Sequence, residues 1–222
     1  MARVAVIGGT GPEGRGLAAR FALAGDHVII GSRQAERAER VADELRAHLG
    51  NAAAASEISC AENSAAVSGA DIVVLAMPFD GVEALLGELA PALAGRLILD
   101  VVVPLRQVKG VFTLVPVPAG SAGELIQQIV PQASVVSGFK NLSAKELWDV
   151  EHVLHGDVLL CSDHPEATRE LVQRIARMPE LRAVDAGALA NSRTLESITA
   201  LLRNLNRRYR ATTSIQILGL SS

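Results

Sequence analysis

Alternating short apolar runs and helical patterns predict an α/β fold with a doubly wound, mainly parallel sheet. Hydrophobic residues make up 49% of the 222-residue chain but aromatic residues only 3%, so the core is aliphatic, as in buried parallel sheets. Helical segments of a dozen or more residues separate the apolar runs, which is typical of crossovers between parallel strands. The less regular second half predicts a smaller C-terminal α/β part, with the two domains at residues 1–140 and 141–222.

The elements follow in order from these patterns. In the first half we expect strands at residues 3–7, 27–30, 57–60, 71–76 and 97–101, with helices at 13–24 and from the second strand to about Leu49. Residues 111–119, with two prolines, are predicted as a loop or edge segment. Ser143 to Glu146 reads as a capping box that opens a short helix. In the second half we also expect strands at 134–137, 157–161 and 183–185, and helices at 123–130, 165–177 and 192–208.

Composition and charge exclude several classes of protein. The formal net charge of −3 argues against a nucleic-acid binder that relies on a broad basic surface. No run approaches the eighteen or so apolar residues of a membrane span, and the first residues do not resemble a signal peptide. Cys60 and Cys161 have no metal-ligand or redox spacing and are expected as thiols. We therefore predict a cytoplasmic protein that binds neither nucleic acid nor membrane and holds no metal.

A glycine-rich segment follows the first predicted strand and opens the first helix. It reads Gly9-Thr10-Gly11-Pro12-Glu13-Gly14, which fits the pattern G-x-G-x-x-G. In this context small residues let the backbone approach a pyrophosphate, and free N–H groups at the helix start bind its charge. The alternative, a glycine-rich turn without a ligand, is disfavoured by the strand–loop–helix order. The loop predicts a Rossmann-type dinucleotide site.

The end of the second strand indicates which dinucleotide binds. Enzymes that use NAD place an acidic residue there for the ribose hydroxyls, but this chain has Ser32 and Arg33, followed by Arg37 one helical turn later. Asp26 lies at the wrong end of the strand. Arginine offers a planar fork of donors to phosphate oxygens, and positive charge is unfavourable at a helix start unless an anion binds there. We therefore predict NADP(H), against the alternative of solvated surface charges.

The sequence offers no clear catalytic acid or base. Met77 and Pro78 follow the fourth strand, where open parallel sheets bind ligands, although an ordinary turn remains an alternative. Lys140 follows the sixth strand and is expected at the surface. A dehydrogenase that acts on an alcohol needs a residue that moves the hydroxyl proton, whereas hydride exchange between two bound cofactors needs close stacking and exclusion of water. We therefore predict that no side chain acts as a catalytic acid or base.

Four segments carry a family resemblance. Val4-Ala5-Val6-Ile7-Gly8-Gly9-Thr10-Gly11, Gly31-Ser32-Arg33, Val136-Ser137-Gly138-Phe139-Lys140-Asn141-Leu142-Ser143 and Asp185-Ala186-Gly187-Ala188-Leu189-Ala190-Asn191-Ser192-Arg193 resemble the NADPH-dependent reductases of coenzyme F420. The similarity covers essentially the whole chain. It implies direct hydride transfer between C4 of the nicotinamide of NADP(H) and C5 of the deazaflavin F420, with the C-terminal domain closing the deazaflavin cleft.

The resemblance also implies roles for individual residues. The loop from Thr10 to Glu13 holds pyrophosphate and ribose, and Leu142 packs behind the nicotinamide. Lys140-Asn141 stands in place of the His-Thr of archaeal members, and Arg37 in place of a frequent lysine. The 2′-phosphate site comprises Thr10, Ser32, Arg33 and Arg37; Met77, Pro78 and Gly81 lie beside the nucleotide, and Val103, Leu142 and Ala144 near the nicotinamide.

Other functions stay open from the residues alone. An NADPH-dependent keto, imine or metal reductase could use the same domain, with Lys140 as its acid. A non-catalytic module that senses NADPH is an alternative from a different class. Leu142 could also be a hydrophobic staple for the helix that Ser143 opens. NADPH and F420 are the small-molecule partners we expect, and the chain is expected to form a homodimer.

Overall fold

The computed structural model describes residues 1–151 and 153–220, which form one eight-stranded sheet, a separate two-stranded hairpin and helices on both faces of the sheet. Valine, isoleucine and leucine dominate the strands, as expected for a buried parallel sheet. The ten strands are β1 (Arg3–Ile7), β2 (His27–Ser32), β3 (Ile58–Glu62), β4 (Ile72–Leu75), β5 (Leu97–Asp100), β6 (Leu105–Val108), β7 (Val111–Leu114), β8 (Ser134–Gly138), β9 (Asp157–Cys161) and β10 (Arg182–Asp185).

The helices alternate with these strands along the chain. Gly50–Ala53, Phe79–Gly81 and Leu189–Asn191 form short 3₁₀ turns. The α-helices are α1 (Pro12–Leu23), α2 (Ala35–Leu49), α3 (Asn63–Ser68), α4 (Val82–Leu93), α5 (Ala122–Ile129), α6 (Ala144–Trp148), α7 (Pro165–Ile175) and α8 (Ser192–Tyr209).

The strand order confirms the predicted Rossmann-type fold. The large sheet runs β10-β9-β8-β5-β4-β1-β2-β3. Its segment from β8 to β3 has the doubly wound order: successive strands are added in one direction from β1 to β3 and in the opposite direction from β4 onwards, so that the order reverses between the parallel strands β1 and β4. All its strand pairs are parallel except β8 with β9, which is antiparallel through Ser137↔Cys161 and Gly138↔Leu160. The C-terminal strands therefore extend the same sheet with one change of direction.

The core lies on both faces of the sheet. Along β1, Val4 and Val6 pack into one hydrophobic cluster while Ala5 and Ile7 pack into the other. Because successive side chains of a strand point to opposite faces, this split shows that both faces are covered. The carboxyl ends of the central strands are left open, and the candidate site lies there.

Helix α6 is anchored to α1 by a buried arginine. Arg20 donates to the carbonyls of Glu146, Leu147 and Asp149, which are at or just beyond the end of α6. A Cβ added to Gly16 would lie 2.6 Å from the Cβ of Leu147, so the two helices approach closely only because residue 16 is glycine. This contact fixes the segment that follows β8 against the start of the chain.

Two local predictions differ from the structure. Residues 111–114, predicted as loop or edge, form β7 and pair antiparallel with β6 through a turn at Lys109 and Gly110, whose φ angles are +47° and +82°. Both residues of that turn are left-handed, as in the tight turns that match the twist of a hairpin. Ser143 precedes α6, but its side chain caps the helix through no hydrogen bond to any described residue, so the predicted capping box is not formed.

Candidate active site

Two cavities open at the carboxyl ends of the central strands. The glycine-loop cavity, of about 620 Å³, lies at the β1–β4 reversal point, where open α/β sheets bind ligands. It brings together most of the residues predicted to contact a nucleotide. Its lining residues include Thr10, Gly11, Ser32, Arg33, Arg37, Met77, Pro78 and Gly81.

Glycines shape the loop after β1. Gly8 has φ +79°, and a Cβ there would lie 2.3 Å from the carbonyl oxygen of Ala76. A Cβ on Gly14 would lie 2.6 Å from the carbonyl oxygen of Gly8. Neither distance is compatible with a larger residue. A Cβ on Gly9 would likewise lie 2.8 Å from the carbonyl oxygen of Val6. Gly9 and Gly14 therefore serve the tight turn itself and line neither of the two cavities, whereas Gly11 lines the first.

The start of α1 presents backbone donors. The N–H of Gly11 is bonded to Gly8, Pro12 has no N–H, and the N–H of Arg15 is bonded to Gly11. The amides of Glu13 and Gly14 donate to no acceptor among the described residues. Free donors in a first helical turn, together with the helix dipole, bind anions such as a pyrophosphate. Pro12 is exposed at the first helical position, where its fixed φ suits the start of a helix.

The end of β2 forms the cationic side of the glycine-loop cavity. The Oγ of Ser32 accepts a hydrogen bond from the N–H of Gln34 at 3.1 Å, which shapes the turn into α2. Arg33 and Arg37 are exposed and line the cavity on this turn and the first turn of the helix. Their guanidinium groups match the planar donors that a 2′-phosphate needs.

Asn63 is a lining residue that the sequence analysis missed. It begins α3, directly after β3, and its Oδ1 is buried without a hydrogen-bond partner among the described residues. Since a buried carbonyl oxygen without a donor is costly, the atom fits a ligand that carries a donor. Its position after a strand of the parallel sheet was the only signal in the sequence. The glycine cradle, free amides, arginines and this oxygen together fit NADP(H).

The second cavity, here called the Leu142 cavity, lies beside the first at the ends of β5 and β8. Its volume is about 460 Å³, and α8 and the β6–β7 hairpin form its outer wall. The hairpin is attached to α8 because Asn204 accepts from the N–H of Phe112 and donates to its carbonyl. The cavity is lined by Glu13, Val101, Val103, Leu105, Phe112, Phe139, Lys140, Asn141, Leu142, Ser143, Ala144, Lys145, Thr199, Leu202, Arg203, Asn206 and Thr213.

The turn that carries Leu142 is anchored at each residue. Phe139 has a left-handed φ of +58°, and its carbonyl accepts from the N–H of Leu142 at 3.2 Å. The carbonyl of Lys140 accepts from Thr199, and the Nδ2 of Asn141 donates to the carbonyl of Asp157 at 2.7 Å. Leu142 is 8% exposed, so it belongs to the core and to the cavity wall at once.

Lys140 is buried, which corrects the prediction of a surface position. Its Nζ donates to Asp100 at 2.7 Å, to Glu196 at 3.0 Å and to the carbonyl of Val102 at 2.6 Å. Burial lowers the pKa of Lys140, but the two carboxylates outweigh it and the pKa is raised overall. The pKa of Glu196 is raised by burial in spite of Lys140. The ammonium group therefore forms ion pairs with Asp100 and Glu196, which lie 40 and 56 residues away in the chain.

Glu13 lies on the side of α1 that faces the Leu142 cavity. It was predicted beside pyrophosphate and ribose, and its side chain lines the second cavity while the glycine loop lines the first. Burial raises the pKa of Glu13 to about 8, and Arg203 counteracts this in part. Arg203 itself stacks over Phe112, 4.4 Å from the ring centroid. The start of α1 thus forms the wall between the two cavities.

Comparison with known proteins identifies the family of this chain. Residues 3–104 match the family described as coenzyme F420-dependent NADP oxidoreductase. An F420-dependent NADP reductase of Methanocaldococcus jannaschii is 33% identical over 98% of this chain and 99% of its own, and one of Methanothermobacter thermautotrophicus is 36% identical over 94% and 90%. The chain belongs to the F420-dependent NADP reductases. A crystal structure of a protein from Arthrobacter sp. FB24 has the same fold: it superposes on this chain with a TM-score of 0.81, at 24% identity, over 99% of this chain and 100% of the other.

Membership of the F420-dependent NADP reductases agrees with the prediction made from the four segments. No helix among residues 1–151 and 153–220 is long and apolar enough to cross a membrane. Within the same described ranges no group of three or more His, Cys, Asp or Glu side chains is arranged to hold a metal ion.

Proposed function

We propose that this protein transfers a hydride directly between C4 of the nicotinamide of NADP(H) and C5 of the deazaflavin ring of F420. The phosphates of NADP(H) occupy the glycine-loop cavity, and its nicotinamide reaches past the start of α1 into the Leu142 cavity. The deazaflavin stacks on the nicotinamide there, in a cleft that residues 141–222 close. The observation that carries the proposal is a pair of cavities that both border the start of α1. The first is lined by the residues predicted for the phosphates, and the second by Val103, Leu142 and Ala144, which are predicted near the nicotinamide.

Support for NADP(H) comes from the chemistry of the first cavity. Free amides at the start of α1 suit the pyrophosphate, and Arg33 and Arg37 suit the 2′-phosphate. No carboxylate stands at the end of β2, where an NAD-specific site would carry one. When bound, NADP(H) supplies or accepts the hydride, and the chain itself orients the dinucleotide and excludes water.

The apolar wall of the second cavity supports a flat ring as the partner. Val103, Leu142 and Ala144 offer apolar contacts beside the anchored turn, which keeps the distance between two stacked rings constant. A keto or imine reductase would need a free acid at Lys140, and that ammonium is paired with Asp100 and Glu196. This pairing disfavours the alternative drawn from the sequence.

Assembly and location belong to the same proposal. A homodimer is supported by apolar side chains left exposed on the hairpin and on α8, namely Val108, Val111, Leu201 and Tyr209, which are 46–65% exposed. We propose that this dimer works in the cytoplasm. Size-exclusion chromatography with light scattering tests the dimer, and a mass near 23.3 kDa would contradict it.

The experiment mixes purified protein with NADPH and oxidised F420 and follows the deazaflavin absorbance. Loss of that absorbance, together with transfer of deuterium from C4-labelled NADPH to C5 of the product, is the expected result. Both C4 epimers of the labelled nucleotide are used, since an enzyme takes hydrogen from one face only. NADH serves as the matched control and should react far more slowly. Reduction without transfer of the label would contradict direct hydride exchange.

A further inference from the structure

Glu13 lines the Leu142 cavity, whereas the loop residues Gly8, Thr10 and Gly11 line the glycine-loop cavity. The backbone of Glu13 belongs to the first turn of α1, where the amides of Glu13 and Gly14 donate to no described acceptor, whereas its side chain lines the Leu142 cavity. No described residue donates a hydrogen bond to its carboxyl group. Its one electrostatic partner among the described residues that line the cavity is Arg203, which acts on it without a hydrogen bond.

The proposed reaction has a requirement that Glu13 can meet. Hydride transfer from NADPH to F420 consumes one proton, because the ring accepts an electron pair and a hydrogen nucleus at C5 and then carries negative charge on a ring nitrogen. A cavity that excludes water needs a group of its own to hold that proton. This requirement rests on the proposed function.

The charged groups that face the cavity differ in what they can donate. Arg203 comes from α8 and carries a guanidinium group, a side chain that offers hydrogen bonds but does not act as a proton donor in catalysis. Lys145 comes from α6 and is exposed, and Lys140 from the turn after β8 is bound by its two carboxylates. Among the described lining residues Glu13 carries the only carboxyl group. Burial raises the pKa of Glu13 to about 8, so at neutral pH the group is mostly protonated.

We propose that the carboxyl group of Glu13 is the catalytic acid that supplies the proton for deazaflavin reduction, and the base that removes it in the reverse reaction. The C4–H bond of NADPH breaks and its electron pair forms the new C–H bond at C5. The O–H bond of Glu13 breaks and its proton goes to the ring nitrogen. Water returns a proton to the Glu13 carboxylate after the product leaves.

Binding of the nucleotide strengthens this role. A pyrophosphate held by the amides of Glu13 and Gly14 places negative charge beside the same residue, which disfavours the carboxylate. Arg203 on the opposite wall acts in the other direction and limits the shift. The pKa of the Glu13 carboxyl group is therefore kept close to neutral pH, where proton transfer in either direction is efficient.

The first test needs no F420. In protein labelled with ¹³C at the carboxyl carbon of glutamate, one resonance should titrate near pH 8, move to higher pH when NADP⁺ is added and vanish in Glu13→Gln. A resonance assigned to Glu13 that titrates near pH 4 would overturn the proposal. This readout concerns Glu13 alone, so it stays informative even if F420 turns out not to be the substrate.

The second test measures single-turnover transfer from pH 6 to 9. The wild-type rate of F420 reduction should fall as the pH rises past about 8, because Glu13 loses its proton. Glu13→Gln should slow transfer by about a hundredfold and flatten the pH profile, and Glu13→Asp should regain part of the rate. Glu44→Gln, on the exposed face of α2, is the matched control and should behave as wild type. A Glu13→Gln enzyme with the wild-type rate and profile would refute the assignment.

Discussion

The Nζ of Lys140 lies 2.7 Å from the Oδ2 of Asp100, and neither side chain is exposed to solvent. Asp100 ends β5 and Lys140 follows β8, the neighbouring strand, so the pair joins the carboxyl ends of two strands beneath the Leu142 cavity. The same carboxylate accepts hydrogen bonds from the hydroxyl of Ser137 at 2.6 Å and from the N–H of Val102 at 2.9 Å. The ion pair therefore supports the turn at residues 139–142 from the side of the sheet.

Loss of the Lys140 ammonium group should make the protein less stable to unfolding. Lys140→Met leaves the carboxylate of Asp100 buried without its partner, and we expect the free energy of unfolding to fall by about 3–5 kcal/mol. Urea denaturation measures the loss. Lys145→Met, a neighbouring exposed lysine, should change stability by less than about 0.5 kcal/mol. A loss in Lys140→Met as small as in the control would show that the pair contributes no net stability.

Shortening Leu142 separates its structural role from its role in geometry. Leu142→Ala removes apolar contacts at the cavity wall, and single-turnover hydride transfer should slow by about ten- to a hundredfold, because small misplacements of reacting groups carry penalties of that size. Leu147→Ala is the control: this buried residue packs on Gly16 and does not line the cavity. Both variants should lose about 2–5 kcal/mol of stability. Equal transfer rates in the two folded variants would assign Leu142 to packing alone.

The preference for NADPH over NADH should depend on Arg33. Losing a charge-assisted phosphate contact costs on the order of 1.5–3 kcal/mol, so Arg33→Ala should weaken NADPH binding at least about tenfold. NADH binding should change little, because NADH lacks the 2′-phosphate. Arg40→Ala removes an equally exposed charge from α2 outside the cavity and should leave both affinities unchanged. Isothermal titration calorimetry distinguishes these outcomes, and equal losses for both nucleotides would contradict the 2′-phosphate site.

A larger residue at position 14 should weaken the binding of NADPH and NADH to the same extent. In Gly14→Ala the new Cβ would lie 2.6 Å from the carbonyl oxygen of Gly8, so the loop must shift, and the affinity for NADPH and NADH should fall together by about tenfold or more. Gly87→Ala, where a Cβ meets nothing within 4 Å on α4, should instead stabilise the protein by about 0.5–1 kcal/mol. Unaltered nucleotide binding in Gly14→Ala would mean that the loop does not hold the pyrophosphate.

The predicted site residues that the structure brings together in the glycine-loop cavity come mainly from short stretches of chain. The strand, glycine loop and helix start lie within fourteen residues, and the arginines follow the next strand directly. Each has a local physical reason: a turn that only glycine permits, and cations that are unfavourable at a helix start without an anion. Such reasons can be recognised without knowing where distant residues lie.

Contacts between distant segments explain what the sequence analysis missed. Lys140 looked like a surface lysine because its partners, Asp100 and Glu196, are far away in the chain. The β6–β7 hairpin was missed because prolines follow it and because its main support is Asn204 on α8. The same reason applies to Glu13, whose facing cavity is built mostly from residues beyond 100.

The two cavities also differ in when they can form. Residues 7–88 supply the whole lining of the glycine-loop cavity, whereas the Leu142 cavity takes its walls from Glu13 through Thr213. Phe112 meets Asn204 across 92 residues, and contacts of such sequence separation form late, since their loop-closure entropy must first be overcome. During synthesis from the N-terminus, the dinucleotide half can therefore become ordered before α8 exists. NADP(H) present at that stage would stabilise a partly made chain, and the cavity for the second ring would be completed around it.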